Sequence, residues 1–188
     1  LDKFIEESLY NKSSGYYMKK NPFGKKGDFI TSPNISVLFS EMIAIWVVSF
    51  WQNLGCPKEF NLIELGAGNG EMMKILVNTF DKFPIFKNSC HIKILERSKL
   101  LKKKQKANIK KKNIQWLNDL NELDKLPCIF LANEFFDALP IKQFIKKEKK
   151  WFERHVRFFN NKFEYFNVPF DMEKFENKIQ FKITKQQK

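Results

Sequence analysis

An α/β fold, with a parallel sheet and helices on both faces, is what this sequence predicts. Three observations carry the prediction. Short apolar runs alternate with helical periodicity between Phe60 and Ala132, which argues for strands joined by crossover helices. The runs are continuous, as in Ile129-Phe130-Leu131-Ala132, and strands covered on both faces lose their polar alternation. The first run ends in a glycine turn, Gly66-Ala67-Gly68-Asn69-Gly70, that leads into a helical stretch.

The elements follow in order. Residues 2–11 read as a short helix, with Phe4, Ile5, Leu9 and Tyr10 at helical spacing. Ser13-Ser14-Gly15 breaks it. Tyr16-Tyr17 lead into a loop punctuated by Pro22, Gly24 and Gly27. Ser32 before Pro33 suits an N-cap and a first helical position. The helix so started should span residues 33–54 and stop at Gly55. Ile35, Leu38, Phe39, Met42, Ile45 and Trp46 make one stripe, and Val47, Val48, Phe50 and Trp51 widen it. Burial on most sides is therefore expected. Strands are expected at 60–65, 91–95, 114–117 and 128–132, and helices at 72–80 and 99–107. After Pro140 the pattern changes. Residues 141–145, 151–159 and 163–166 read as β-hairpin pieces, and 167–188 fit either helix or strand. Three regions result: an N-terminal helical lid (1–56), the sheet core (57–140) and a β-rich insertion on the substrate side (141–188).

Composition narrows the function. The chain has 188 residues and 43% hydrophobic residues, enough for a core in one domain or most of one. Cys56, Cys90 and Cys128 sit far apart with no CxxC pair, which disfavours a disulfide scaffold and a zinc ribbon and suits a reducing compartment. No metal site is expected. The formal charge is +13, yet only Arg97, Arg154 and Arg157 are arginines. Nucleic-acid interfaces favour arginine forks, so a lysine-rich solvated surface is the reading and nucleic acid is not an expected partner. The same holds for the eight lysines within residues 99–112. The longest apolar stretch, residues 42–51, suits a buried helix and is too short to span a membrane.

The glycine turn poses the question of its ligand. A dinucleotide fingerprint needs a third glycine at position 71, which is Glu71, and a P-loop needs Gly-Lys-Ser/Thr, which is absent. Glu64 and Glu71 flank the turn, and carboxylates there disfavour a pyrophosphate. A sulfonium ligand reverses the sign: S-adenosylmethionine carries a cationic sulfur and an ammonium, which nearby carboxylates attract. Glu96 ends the second strand, where ribose hydroxyls lie in a doubly wound sheet. Asp119, with Leu120 beside it, follows the third strand and is suited to accept from an adenine amino group. An S-adenosylmethionine site made of Glu64, Gly66, Gly68, Gly70, Glu96, Asp119 and Leu120 is the expectation. A nucleotide-binding or ligand-free sheet of the same kind is the alternative. The segment 28–33 precedes the core as a lid, so Thr31 and Pro33 join the expected contacts, with a plain helix cap as the competing reading.

The loop after the fourth strand reads Asn133-Glu134-Phe135-Phe136-Asp137-Ala138-Leu139-Pro140. Ligands bind at the carboxyl ends of such strands, so the loop faces the methyl donor. Asn133 offers a carbonyl, Glu134 and Asp137 offer charge, and Glu134 is the first choice for the catalytic acceptor of a proton. The two phenylalanines are expected in the core, with Asn133 and Asp137 as helix caps in the competing reading.

Several strings together resemble the MidA family: Ser14-Gly15-Tyr16-Tyr17, Gly27-Asp28-Phe29-Ile30-Thr31-Ser32-Pro33, the glycine turn, Asn133 to Pro140, and Trp151-Phe152-Glu153-Arg154. The resemblance implies a class I methyltransferase, Rossmann-like sheet with S-adenosyl-L-methionine as cosubstrate. It further implies dimethylation of an arginine on a respiratory complex I subunit in support of complex assembly. A methyltransferase on another protein or a small molecule, or a non-catalytic assembly scaffold, stand as alternatives. The matching compartment is the cytoplasm in a bacterium and the mitochondrial matrix in a eukaryote. The family's turn usually reads Gly-Pro-Gly-Arg-Gly-Thr, whereas Ala67, Asn69 and Glu71 stand here. With four strands before the hairpin region, the sheet is expected to be incomplete, as in an N-terminal piece.

Overall fold

A computed structural model of the chain describes residues 1–19, 22–24, 27–111 and 113–180. It divides into two compact units, one of Leu9–Ala138 and one of Leu1–Ser8 with the chain from Leu139 onward.

The Leu9–Ala138 unit holds the parallel sheet. Its strands are β1 (Phe60–Leu65), β2 (Cys90–Leu95), β3 (Ile114–Leu117) and β4 (Cys128–Leu131), in the order β3-β2-β1-β4. Helix α1 (Asp2–Tyr10) ends in this unit, and α2 (Tyr16–Lys19), α3 (Ser32–Ile35) and α4 (Val37–Asn53) precede the sheet. Helices α5 (Glu71–Phe80) and α6 (Pro84–Ser89) join β1 to β2, and α7 (Lys99–Ile109) joins β2 to β3. All six residues of β1 are buried between two neighbouring strands, the polar Asn61 and Glu64 among them. Leu62 lies level with Ile92 and Ile129, and Glu64 with Ile94 and Leu131. On this face Phe60, Leu62, Ile94 and Ile129 join one apolar cluster with Val47 of α4, Leu76 of α5, Phe86 of α6 and Ile109 of α7.

Three expectations about the long helix need correction. It is broken at Ser36, whose extended backbone (φ −136°, ψ 121°) separates α3 from α4. The N-cap of α3 is Thr31 rather than Ser32. The Asn34 side chain donates to Thr31 Oγ1 at 2.7 Å, a local bond that competes with helix continuation. Nor is α4 buried on most sides. Ser40, Ala44, Val47, Val48 and Trp51 turn inward, while Leu38 is 63% exposed and Met42 60%. One stripe of a helix meets its neighbours, and apolar residues beyond that stripe stay outside whatever their type. The stop at Gly55 holds, with φ at +81°.

The other unit is a meander of β5 (Phe144–Lys147), β6 (Lys150–Phe159) and β7 (Lys162–Phe170), followed by α8 (Met172–Ile179). The β6–β7 turn is Asn160-Asn161, both with positive φ, which suits a two-residue hairpin turn. β7 runs to Phe170 and takes Pro169 on an edge strand. Asp171 then caps α8 by accepting from Lys174 N at 3.0 Å. Residues 167–180, open from sequence, are thus strand and then helix; 181–188 lie outside the described residues. Inside this unit Lys142 pairs with Glu153 at 2.5 Å and with Asp2 at 3.3 Å. Phe144, Phe170 and Phe175 pack ring against ring.

Candidate methyl-donor site

Strand order decides where a ligand can sit. β1 has β2 on one side and β4 on the other, and the chain reverses direction across the sheet between β1 and β4. Such a switch point opens a crevice at the carboxyl ends of the strands. The glycine turn leaves β1 there, and the loop from Asn133 leaves β4 beside it. A small cavity of about 40 Å³ lies between them. Among the expected site residues, Glu64, Gly66, Gly68, Thr31, Pro33, Asn133 and Glu134 line it.

The turn has to be glycine at two places. Gly66 (φ +67°) would drive a Cβ to 2.7 Å from the Phe135 ring, and Gly68 (φ +53°) would bring one to 3.4 Å from the Phe23 ring. The left-handed backbone disfavours a side chain at both, and at Gly66 the Phe135 ring leaves no room for one. Gly70 is the N-cap of α5.

Two acids stand behind the turn. Glu64 is 4% exposed, and its Oε2 has no hydrogen-bond partner among the described residues. Burial, with the nearby charge of Glu96 added, pushes its carboxyl up to about 8. Glu96 follows β2 and is buried as well. Its Oε1 accepts from Ser98 N at 2.8 Å and its Oε2 from Gln105 Nε2 at 2.9 Å. Burial pushes the Glu96 carboxyl up, and these donors pull it part of the way back. The Arg97 backbone N–H also faces this carboxylate, which has about four acceptor positions in all.

The remaining expected residues lie apart from the cavity. Asp119 accepts from Asn121 N at 2.8 Å, and Glu122 reaches back to Asp119 N at 2.9 Å. Asp119 and Leu120 thus form an exposed capped turn at the end of β3. Asp137 lies in the one-turn helix Phe136–Ala138, where its charge adds to the burial that raises the Tyr17 phenol. Glu134 is exposed with φ +49°, a left-handed conformation that costs on the order of 1 kcal/mol in a non-glycine residue. The expectation that both phenylalanines sit in the core is corrected. Phe135 half-covers Gly66, and Phe136 is 66% exposed, because this loop runs along the rim of the sheet.

Sequence reasoning missed Phe23, Asn34, Asn69 and Gln105. Asn69 Nδ2 donates to Asn34 Oδ1 at 3.0 Å, tying the lid segment to the turn. Tyr16 OH donates to Asp28 within that lid. Gln105 was findable: Leu101, Gln105 and Ile109 are the buried residues of α7, so a polar residue occupies an apolar stripe position.

The family described as "Putative S-adenosyl-L-methionine-dependent methyltransferase" matches residues 42–188. The human protein arginine methyltransferase NDUFAF7, mitochondrial, is 32% identical over 82% of this chain and 40% of its own length. The Drosophila melanogaster homolog is 31% identical, over 80% of this chain and 39% of its own. A COG1565 superfamily member from Burkholderia thailandensis, crystallised with S-adenosyl-homocysteine, superposes with a TM-score of 0.76 at 24% identity. It covers 95% of this chain and 48% of its own, and at that identity the likeness speaks for the fold. The chain spans about two-fifths of the length of the curated relatives it matches.

Proposed function

The chain belongs to the MidA family of S-adenosylmethionine-dependent methyltransferases, and on that premise we propose that it binds S-adenosyl-L-methionine at the β1–β4 crevice and serves methyl transfer to a protein arginine. The observation that carries the reading is the buried Glu64 Oε2 behind the glycine turn, which no described residue pairs. A buried acid without a partner suits a cationic ligand, whose charge favours the ionised form. Glu96, at the end of β2 where ribose hydroxyls lie in such sheets, suits a ribose hydroxyl.

The cavity is small, at about 40 Å³ against the ~300 Å³ or more of usual small-molecule sites. The Phe23 and Phe135 rings stand over the turn. They must swing aside for the cosubstrate to enter, which makes the segment carrying Phe23 and Thr31 a lid.

The cosubstrate supplies an activated methyl group on a sulfonium. The chain's own residues supply position and proton control. An arginine acceptor is always protonated in water, so a carboxylate must orient the guanidinium and take a proton as the nitrogen is methylated. Glu134, on the cavity wall, takes that role, Asn133 orients the acceptor through its carbonyl, and Asp137, on the same loop but outside the cavity lining, is the second choice. The acceptor, as the family resemblance implies, is an arginine of a respiratory complex I subunit.

Calorimetry with S-adenosylhomocysteine tests the cosubstrate site. Wild-type chain should bind, and Glu64→Gln should bind at least about tenfold more weakly, as expected for losing one charge-assisted contact. No binding by the wild-type chain would overturn the reading. Transfer from labelled donor into complex I subunits tests the reaction. Glu134→Gln should abolish transfer while leaving homocysteine-form binding within about twofold. Binding without transfer by the wild-type chain would favour the scaffold alternative.

A further inference from the structure

Gln105 makes three side-chain hydrogen bonds and is fully buried. Its Nε2 donates to Glu96 Oε2 at 2.9 Å and to Gly68 O at 3.0 Å, and its Oε1 accepts from Trp116 Nε1 at 2.9 Å. The indole N–H can only donate, and the carbonyl and the carboxylate can only accept. One obligate donor and two obligate acceptors around one buried point define an amide and fix which way it faces. Among neutral side chains of that reach, glutamine alone meets all three. A lysine offers no acceptor for the indole, and a glutamate turns acceptor against acceptor. The three partners belong to three pieces of the crevice: the turn after β1, the end of β2, and β3.

We propose that Gln105 is a positioning residue of the cosubstrate site, holding the Glu96 carboxylate and the Gly68 carbonyl where the ligand meets them. The proposal rests on the S-adenosylmethionine reading above. Gln105 acts through Glu96 and the turn, touching neither ligand nor reacting atoms. Its amide donor favours the charged form of Glu96, since a protonated carboxyl offers that N–H a poorer acceptor. The other groups facing Glu96 are Glu64 on β1, Lys102 on α7, and the backbone N–H groups of Arg97 and Ser98. Glu64 and burial work against the charge; the rest work with Gln105. Removing the amide therefore moves the ionisation of Glu96 to higher pH.

The test compares S-adenosylhomocysteine affinity of wild type, Gln105→Met and Trp116→Phe between pH 6 and pH 9. Methionine keeps the length and the apolar packing but makes none of the bonds. At pH 7 Gln105→Met should bind about tenfold more weakly, and its affinity should fall off at a higher pH on the acid side. Trp116→Phe frees the amide to turn, and should move the acid limb the same way by less. In the ligand-free chain, carboxyl carbon NMR should show Glu96 titrating at higher pH in Gln105→Met than in wild type. Equal loss at every pH, with the Glu96 titration unmoved, would reduce Gln105 to a packing residue and overturn the proposal. Should Gln105→Met not fold, the acid limb and Glu96 titration of Trp116→Phe decide by the same criterion. A wild-type chain that binds no S-adenosylhomocysteine overturns the cosubstrate reading and this inference with it; a wild type that binds beside variants that behave identically overturns this inference alone.

Discussion

A carboxyl group held in the interior with an oxygen unpaired is costly to ionise, and Glu64 is such a group. Its acid form persists to about pH 8, against 4.5 in an exposed chain. The folded state therefore holds more protons than the unfolded one across that window, so stability falls as pH rises from about 4.5 towards 8. Urea unfolding of the ligand-free chain at pH 5.5 and pH 8 should show a loss of a few kcal/mol, and Glu64→Gln should flatten the slope. A slope unchanged in that variant would mean other groups set it. A cationic ligand reverses the preference and draws the proton off. Binding at pH 7 should release close to one proton, read as a heat that depends on the buffer's ionisation enthalpy. The place of Glu64 at the crevice was legible in the sequence, as an acid two residues before Gly66 at the end of an apolar run. Asn34 and Asn69 were not, since a pairing of two amides 35 residues apart leaves no periodic trace.

At the scale of elements, strands were read well and helix burial was not. β1 and β3 have the bounds their short apolar runs suggest, because runs of four to six residues bounded by turn residues leave little room for another reading. Helix α6 went unread: Pro84 opens six residues that pack through Phe86 and Ser89 alone, too short to show a period. α4 misled in the opposite way, being apolar all round while packing through one stripe. Helix α7 carries the prediction of this scale. Its N-cap Ser98 accepts from Leu101 N at 3.4 Å and donates to Tyr17 O at 2.9 Å, so one hydroxyl fastens both the helix start and the Ser-Gly-Tyr-Tyr segment. Ser98→Ala should cost about 1–2 kcal/mol, seen as a lower thermal midpoint and as faster hydrogen exchange in both α7 and α2. Loss confined to α7 would show that the Tyr17 contact contributes nothing.

The whole chain carries +13 formal charge, with 34 basic and 21 acidic residues. Many of its ion pairs lie near water, as Lys87 and Lys111 on Asp81 do, and such pairs contribute ~1 kcal/mol or less each. The excess of lysine instead repels itself. Repulsion of this kind acts over the Debye length, about 30 Å at 0.01 M salt and about 10 Å at 0.1 M. Added salt therefore relieves repulsion between distant lysines before it weakens contacts of about 3 Å. The pair between buried Lys93 and exposed Asp124, at 2.8 Å, is one of these short contacts. The thermal midpoint should accordingly rise by a few degrees between 10 mM and 150 mM sodium chloride, and then level off. Replacing four exposed lysines of the α7 surface, Lys99, Lys103, Lys104 and Lys106, by glutamine should reduce that rise, because the local density of like charge is highest there. A midpoint that falls with salt would mean that close pairs outweigh the net field, and would make the lysine excess neutral for folding.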